Sequence, residues 1–275
     1  MKTLYISDLD GTLLNERSQI SNNSIKILNE LMKNGVNFTY STARTSASAP
    51  ILTRKLNITL PVILMNGVAV YDSIKKEYIN VEAIEKPAVK AVIELLDEHN
   101  IDCFLFSIEK NTLNTFYKKL STEHMQAFHD ERVAKFNKKF IQRDDLSEID
   151  NSVYFSIFNK KACLKELYKA LKMVNGIEVV FYRDTYDSEL YYLEIASKKA
   201  TKGKAAEYFR EKLGFDRLIG FGDNSNDISL LKACDEFYAV KNAKPKLLEL
   251  ATGIIPENIY DSVPNKIREL KEREK

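Results

Sequence analysis

Two carboxylates stand two residues apart at the end of a short apolar run near the N-terminus, in Leu4-Tyr5-Ile6-Ser7-Asp8-Leu9-Asp10-Gly11-Thr12-Leu13. In an extended segment, residues two apart point to the same side. Asp8 and Asp10 can therefore face one site as the chain leaves a buried strand. Gly11 lets the backbone turn where a side chain would crowd it. Close carboxylates repel unless positive charge lies between them, and oxygen ligands suit Mg²⁺. The same residues also build ordinary turns, because Asp and Gly favour them. Taken alone, the stretch leaves both readings open.

Other polar groups fall at comparable places. Val36 to Tyr40 reads as a strand ending in Ser41-Thr42-Ala43-Arg44, and Leu218 to Phe221 as one ending in Gly222-Asp223. Lys202 opens a helix between Thr201 and Gly203. In open α/β sheets, ligands bind outside the carboxyl ends of the strands, so these segments can meet. Such a set suits phosphoryl transfer. Asp8 is ionised at neutral pH and needs no base to act as a nucleophile. A metal held by Asp8 and Asp223, with Lys202, offsets the charge of an anionic phosphoryl group. Thr42 offers a hydroxyl and Ala43 a backbone N–H to phosphate oxygens. Asp10 is left to protonate the leaving oxygen and then to activate water. Asn226 and Asp227 follow Asp223 on one helical face. Asp227 can hold a metal-bound water or be a ligand; Asn226 can donate to phosphate or orient Lys202. The plainer reading of Asp223 to Asp227 is a capped helix start with acidic first-turn residues.

The elements that must position these groups alternate. After the first strand, Ser21 caps a helix to about Asn34, and Gly35 stops it. A helix with Pro50 in its first turn follows the second strand. Pro61 to Met65 is a third, uniformly apolar strand, as a doubly covered parallel strand should be. This order predicts a doubly wound, Rossmann-like parallel sheet. From about Ile84 to Asp187 strands and helices mix without strict alternation, which predicts an inserted α+β domain at 84–187 within a core of 1–83 and 188–275. The first pattern resumes with a strand at Leu190 to Ile195, a helix from Lys202 closed by Gly214, a helix from Asn224 to Ala233, and a charged helix from Val263 to Lys275.

Composition excludes several classes. The chain has 275 residues, 44% hydrophobic and 29% charged, with a formal net charge of +2. That balance gives no electrostatic case for nucleic acid. No apolar run approaches the ~18 residues that span a bilayer, and the apolar start is too short for a secretion signal. Cys103, Cys163 and Cys234 are scattered and odd in number, which predicts reduced thiols in a cytoplasmic protein. His99, His124 and His129 show no metal-ligand spacing.

Together the motifs resemble the haloacid dehalogenase-like hydrolases, specifically the Cof-type phosphatases with a large inserted cap. Asp8-Leu9-Asp10-Gly11-Thr12-Leu13 is similar to the first family motif, Ser41-Thr42-Ala43-Arg44 to the second, Lys202-Gly203 to the third and Gly222-Asp223-Asn224-Ser225-Asn226-Asp227 to the fourth. Asn66-Gly67 and Lys241-Asn242-Ala243 also resemble family features. The resemblance implies Asp8 as nucleophile and Asp10 as acid/base. It implies Mg²⁺ held by the Asp8 carboxylate, the Asp10 backbone carbonyl and Asp223. It implies phosphate bound by the Leu9 backbone, Thr42, Ala43, Lys202 and Asn226, with Asp227 in support and the insert as a cap that selects the leaving group. Ala43 replaces a common glycine, and Lys241 departs from the family pattern near the rim. The expected protein is a phosphatase of a small phosphorylated metabolite, a sugar phosphate or nucleotide-like phosphate, working as a monomer or weak homodimer. The rivals are a phosphomutase on a sugar phosphate and a non-catalytic regulatory protein that binds Mg²⁺ and a phosphorylated ligand.

Overall fold

The computed structural model describes residues 1–136, 138–184 and 187–273. The chain divides into two compact units, Met1–Asn80 with Ala200–Lys275, and Val81–Lys199.

The first part of the first unit follows the local signals. It runs β1 (Thr3–Ser7), α1 (Asn22–Lys33), β2 (Asn37–Tyr40), α2 (Ala49–Thr53), β3 (Val62–Leu64), β4 (Ala69–Asp72) and β5 (Glu77–Val81). The Ser21 hydroxyl accepts from the Ser24 N–H at 2.9 Å and so caps α1. Gly35 takes the left-handed backbone that ends the helix, with φ of 84°.

The second unit contains α3 (Lys86–Glu98), β6 (Phe104–Glu109), β7 (Thr112–Tyr117), α4 (Glu123–Phe136), β8 (Phe140–Gln142), β9 (Ser152–Lys160), α5 (Lys161–Leu171), β10 (Ile177–Arg183) and β11 (Leu190–Ser197). Its six strands lie in the order β10-β11-β9-β6-β7-β8. One face carries Leu105, Phe155, Ile157, Leu193 and Ile195, which pack with Val89, Val92 and Leu96 of α3 and Leu164, Leu167 and Leu171 of α5. The other face is aromatic, with Phe104 and Phe158 against Phe128 of α4 at ring separations of 4.9 and 5.2 Å. The hairpin of β6 and β7 has no strong local signal in the sequence. It turns at Lys110-Asn111, both with positive φ, without the Asn-Gly pair that usually marks such a turn.

The expected return of the parallel pattern at Leu190 does not occur. Leu190 to Ile195 does not join the parallel sheet. It is part of β11, antiparallel to both β9 and β10. Its inward residues Leu193 and Ile195 are buried, while the alternating residues Tyr192, Glu194 and Ala196 are not. That alternation is what an antiparallel strand with unlike faces requires. The expected boundaries at 83/84 and 187/188 fall at 80/81 and 199/200 instead.

The first unit then resumes with α6 (Lys202–Leu213), β12 (Arg217–Gly222), α7 (Ile228–Ala233), β13 (Glu236–Val240), α8 (Pro245–Leu250), β14 (Gly253–Ile255) and α9 (Ser262–Arg273). The predicted last residues of the terminal helix, Glu274 and Lys275, lie outside the described residues. The Thr201 hydroxyl caps α6 through the Lys204 N–H at 3.1 Å, and Gly214 closes it in the left-handed region. Five parallel strands form the sheet β14-β13-β12-β1-β2. A parallel bridge from Ser41 to Ile63 continues it to β3. β1 is central and flanked by β2 and β12, so the strand order reverses between β1 and β12. The fold is α/β, with a Rossmann-like parallel sheet and a separate α+β unit.

Leu193 of β11 is fully buried in the aliphatic core of the second unit. Leu193→Ala is expected to lower stability by about 2–5 kcal/mol in urea unfolding. A loss below about 1 kcal/mol would mean that this core closes around the cavity.

Candidate active site

Parallel strands all present their carboxyl ends at one edge, and the register places three segments there together. Ser7 stands beside Tyr40 of β2 and Phe221 of β12. Asp8 follows Ser7, Thr42 follows Tyr40 by two residues, and Asp223 follows β12. The ladder runs on as the Asp8 N–H donates to the Phe221 carbonyl at 2.9 Å.

The chain then turns tightly over Leu9–Leu13, with Gly11 at a φ of 78°. Only glycine fits here. A Cβ at position 11 would stand 2.6 Å from Asp223 Oδ2. The turn is tied down from the opposite side of the site. Thr12 Oγ1 donates to Asp223 Oδ1 at 2.9 Å, and Asn242 Nδ2 donates to the Gly11 carbonyl at 2.9 Å. The Asp223 carbonyl accepts from the Lys244 N–H at 2.8 Å.

At the centre lies Lys202. Its ammonium donates to Asp8 Oδ1 at 2.5 Å and to Asp227 Oδ1 at 2.7 Å. Its side chain has no solvent exposure, and those of Asp8 and Asp227 have 8% and none. Burial opposes the charge on Lys202, but Asp8 and Asp227 overcome it and hold the ammonium above its usual range. Burial raises Asp8, Lys202 pulls against it, and Asp227 and then Asp223 add to the rise. Burial also pushes Asp223 up to about 6, with Thr12 opposing.

Asp227 has both oxygens committed. Oδ1 holds Lys202, and Oδ2 accepts from the Asp223 and Asn224 N–H groups, each at 3.0 Å. The expected helix from Asn224 begins instead as a 3₁₀ turn over Ser225–Asp227, with α7 starting at Ile228. That turn, capped by Asn224, is what brings Asp227 back toward Lys202. Asp227, not Asn226, therefore orients Lys202. The Asn226 amide donates to Asn66 Oδ1 at 2.9 Å.

Asp8, Asp223 and Asp227 each offer an oxygen within 4.8 Å of the others. Three carboxylates here face one ammonium, a set whose excess negative charge a divalent cation would offset. Asp227 has both oxygens occupied by hydrogen bonds to Lys202 and to its own turn. The Asp10 side chain is not in this group. It lies half exposed and pairs with Arg44.

Thr42 is buried, and its hydroxyl accepts from the Arg44 N–H at 3.2 Å, which folds the loop holding exposed Ala43. Three residues that the sequence motifs contain but give no role help build the site: Thr12, Arg44 and Asn242. Thr12 and Arg44 adjoin residues already recognised, but their partners lie far along the chain.

The fold and these groups set an acidic cluster around one buried lysine at the carboxyl edge of a parallel sheet. Residues 5–267 match the haloacid dehalogenase-like hydrolases, and the chain belongs to that family. It is similar to a putative phosphatase of Buchnera aphidicola, with 30% identity over 274 residues and 96% of each chain covered. It is 26% identical to the 5-amino-6-(5-phospho-D-ribitylamino)uracil phosphatase of Bacillus subtilis, covering 96% of this chain and 94% of that one. Its fold resembles the crystal structure of a Thermotoga maritima protein, with a TM-score of 0.79, 23% identity, and 98% and 97% of the two chains covered. The chain is an enzyme of the phosphatase kind. Among the described residues, no helix is long and apolar enough to cross a membrane.

Removing the ammonium should be costly, because two buried carboxylates would remain uncompensated. Lys202→Met is expected to lower stability by about 3–5 kcal/mol at neutral pH. A chemical denaturation curve matching that of the unsubstituted protein would contradict the central place given to this cation.

Proposed function

We propose that the chain is a Mg²⁺-dependent phosphatase that hydrolyses a small phosphorylated metabolite, a sugar phosphate or nucleotide-like phosphate, through an aspartyl-phosphate. The observation that carries the reading is the buried Asp8–Lys202–Asp227 set beside Asp223. The Bacillus relative acts, by its name, on a phosphorylated ribitylaminouracil, which supports a small nucleotide-like substrate.

Asp8 attacks phosphorus with a carboxylate oxygen. The bond from phosphorus to the leaving oxygen breaks, its electron pair goes to that oxygen, and Asp10 supplies the proton. Water then attacks phosphorus and gives a proton to Asp10, and the bond to Asp8 breaks to release phosphate. The Leu9 and Ala43 N–H groups, the Thr42 hydroxyl and the Asn226 amide hold the phosphate oxygens. Two N–H bonds of Lys202 go to carboxylates, and its third is directed to the phosphate. Mg²⁺, held by Asp8, Asp223 and the Asp10 backbone carbonyl, would offset charge between the carboxylates and the phosphoryl group. The free thiols of Cys103, Cys163 and Cys234 support a cytoplasmic location.

Asp8→Asn keeps the shape of the nucleophile and removes its charge. Phosphate release from a panel of phosphorylated metabolites should then fall to the level of buffer, and chelating Mg²⁺ should do the same to the unsubstituted protein. Phosphate accumulation also separates hydrolysis from a mutase, which passes the phosphoryl group back to the sugar. Turnover retained by Asp8→Asn would sink the mechanism.

Metal binding should also depend on pH. Asp223 titrates near 6 in the folded chain against an ordinary 3.8. Without metal, the folded state binds that proton more tightly than the unfolded one. The stability it lends is complete below about 3.8 and is lost as pH rises through about 6. Mg²⁺ competes with the same proton. The rise in melting temperature on adding Mg²⁺ should therefore be larger at pH well above 6 than below it. An equal rise on both sides would place the metal away from Asp223.

A further inference from the structure

Asp10 is set apart from the other site carboxylates by what holds it. Arg44 grips it as a fork. Nε donates to Oδ2 at 2.8 Å and Nη2 donates to Oδ1 at 2.6 Å. The residues are 34 apart in sequence, and both belong to the first unit.

The base of the fork is anchored. The Arg44 N–H donates to Thr42 Oγ1, and the Arg44 carbonyl accepts from the Met65 N–H at 3.0 Å. The Asn66 N–H donates to the Thr42 carbonyl at 2.9 Å. Met65 and Asn66 reach these carbonyls by adopting left-handed backbone, with φ of 49° and 55°. Such conformations cost energy and persist where the surroundings demand them. Gly67 completes the turn, and a Cβ there would meet the Thr201 carbonyl oxygen at 2.1 Å. A strained turn thus pins the loop from which Arg44 reaches Asp10.

Stability alone does not account for this arrangement. The Asp10 side chain is 48% exposed and that of Arg44 29%, and ion pairs in such settings contribute little. What a bidentate pair supplies is geometry. An acid/base must sit within hydrogen-bond reach of one oxygen, and an exposed Asp side chain is otherwise free to rotate.

We infer that Arg44 is a positioning residue for Asp10, fixing the carboxylate that exchanges the proton with the leaving oxygen and with water. It acts on the reaction through Asp10, and the inference rests on the acid/base reading of Asp10 given above.

The test compares two phosphomonoesters with the Mg²⁺-loaded enzyme. The phenolate of p-nitrophenyl phosphate departs without a proton, whereas the alkoxide of glycerol phosphate needs one. Arg44→Ala is expected to lower kcat/KM on glycerol phosphate about 10–100-fold, part of what a general acid contributes. The loss on p-nitrophenyl phosphate should be about tenfold smaller, a gap that comes from the same proton transfer. The inhibition constant for inorganic phosphate should hold. Arg44→Lys restores the charge without the fork and should keep most of the deficit on the alkyl ester. Asp10→Asn sets the full size of the leaving-group effect. Equal losses on both esters with weaker inhibition by phosphate would make Arg44 a phosphate contact and overturn the inference. Full recovery in Arg44→Lys would overturn it too, since charge alone would then suffice. If Asp10→Asn shows no preference between esters, the acid/base reading itself fails and takes this inference with it. If only the Arg44 variants lack the preference, that reading stands and the inference alone falls.

Discussion

The site depends on one ammonium out of contact with water. Lys202 lies between Asp8 and Asp227, and none of the three could be buried there alone. Desolvating a charge costs several kcal/mol, and mutual attraction only roughly repays it. The set is therefore weak evidence for stability but strong evidence for fixed orientation. Asp8 is held by one oxygen at the end of a central strand. Asp227 uses its second oxygen to bind the two N–H groups at the start of its own turn. Lys202, Asp8 and the turn that carries Asp227 are thereby joined into one hydrogen-bonded piece.

The rest of the first unit brings these groups within reach of one another. Parallel strands deliver Asp8, Thr42 and Asp223 to a single edge. β1 and β12 are neighbours there, with the strand order reversing between them. The close approach leaves no room for a side chain at Gly11. Thr12 and Asn242 then hold the turn from two directions. With three carboxylates against one ammonium, the edge keeps a surplus of negative charge, and the upward shift of Asp223 follows from burial first and then from the neighbouring Asp227.

The second unit is built on another principle. Its antiparallel sheet gives one face to the aliphatic side chains of α3 and α5 and the other to aromatic rings, including Phe104, Phe128, Phe140 and Phe158. Tyr182 and Tyr192 stack nearly parallel on this second face, and Tyr182 donates to Glu194 at 2.7 Å. The polar residue within β11 thus has a partner that only a neighbouring strand could supply.

Much of this was legible from local rules. Ser21, Thr201, Gly35 and Gly214 mark helix ends because caps and left-handed residues act over three or four positions. The apolar runs before Asp8, Thr42 and Asp223 showed the parallel strands for the same short-range reason. Lys202 stood out among Lys198, Lys199 and Lys204 only by its place at a helix start. Partners were another matter. Leu190 to Ser197 is apolar enough for either sheet, and its pairing with β9 and β10 was settled by packing two unlike faces. Asn226 and Asp227 are neighbours in sequence, yet a 3₁₀ turn gave Lys202 to Asp227 and left Asn226 to Asn66. Asp10 and Arg44 could each be read as polar groups at strand ends. That one grips the other is a contact between residues distant in sequence. The sequence by itself determined which chemical groups reach the edge of the sheet. Tertiary structure decided which of them touch, because a hydrogen bond depends on positions to a fraction of an ångström and those exist only once the chain has closed.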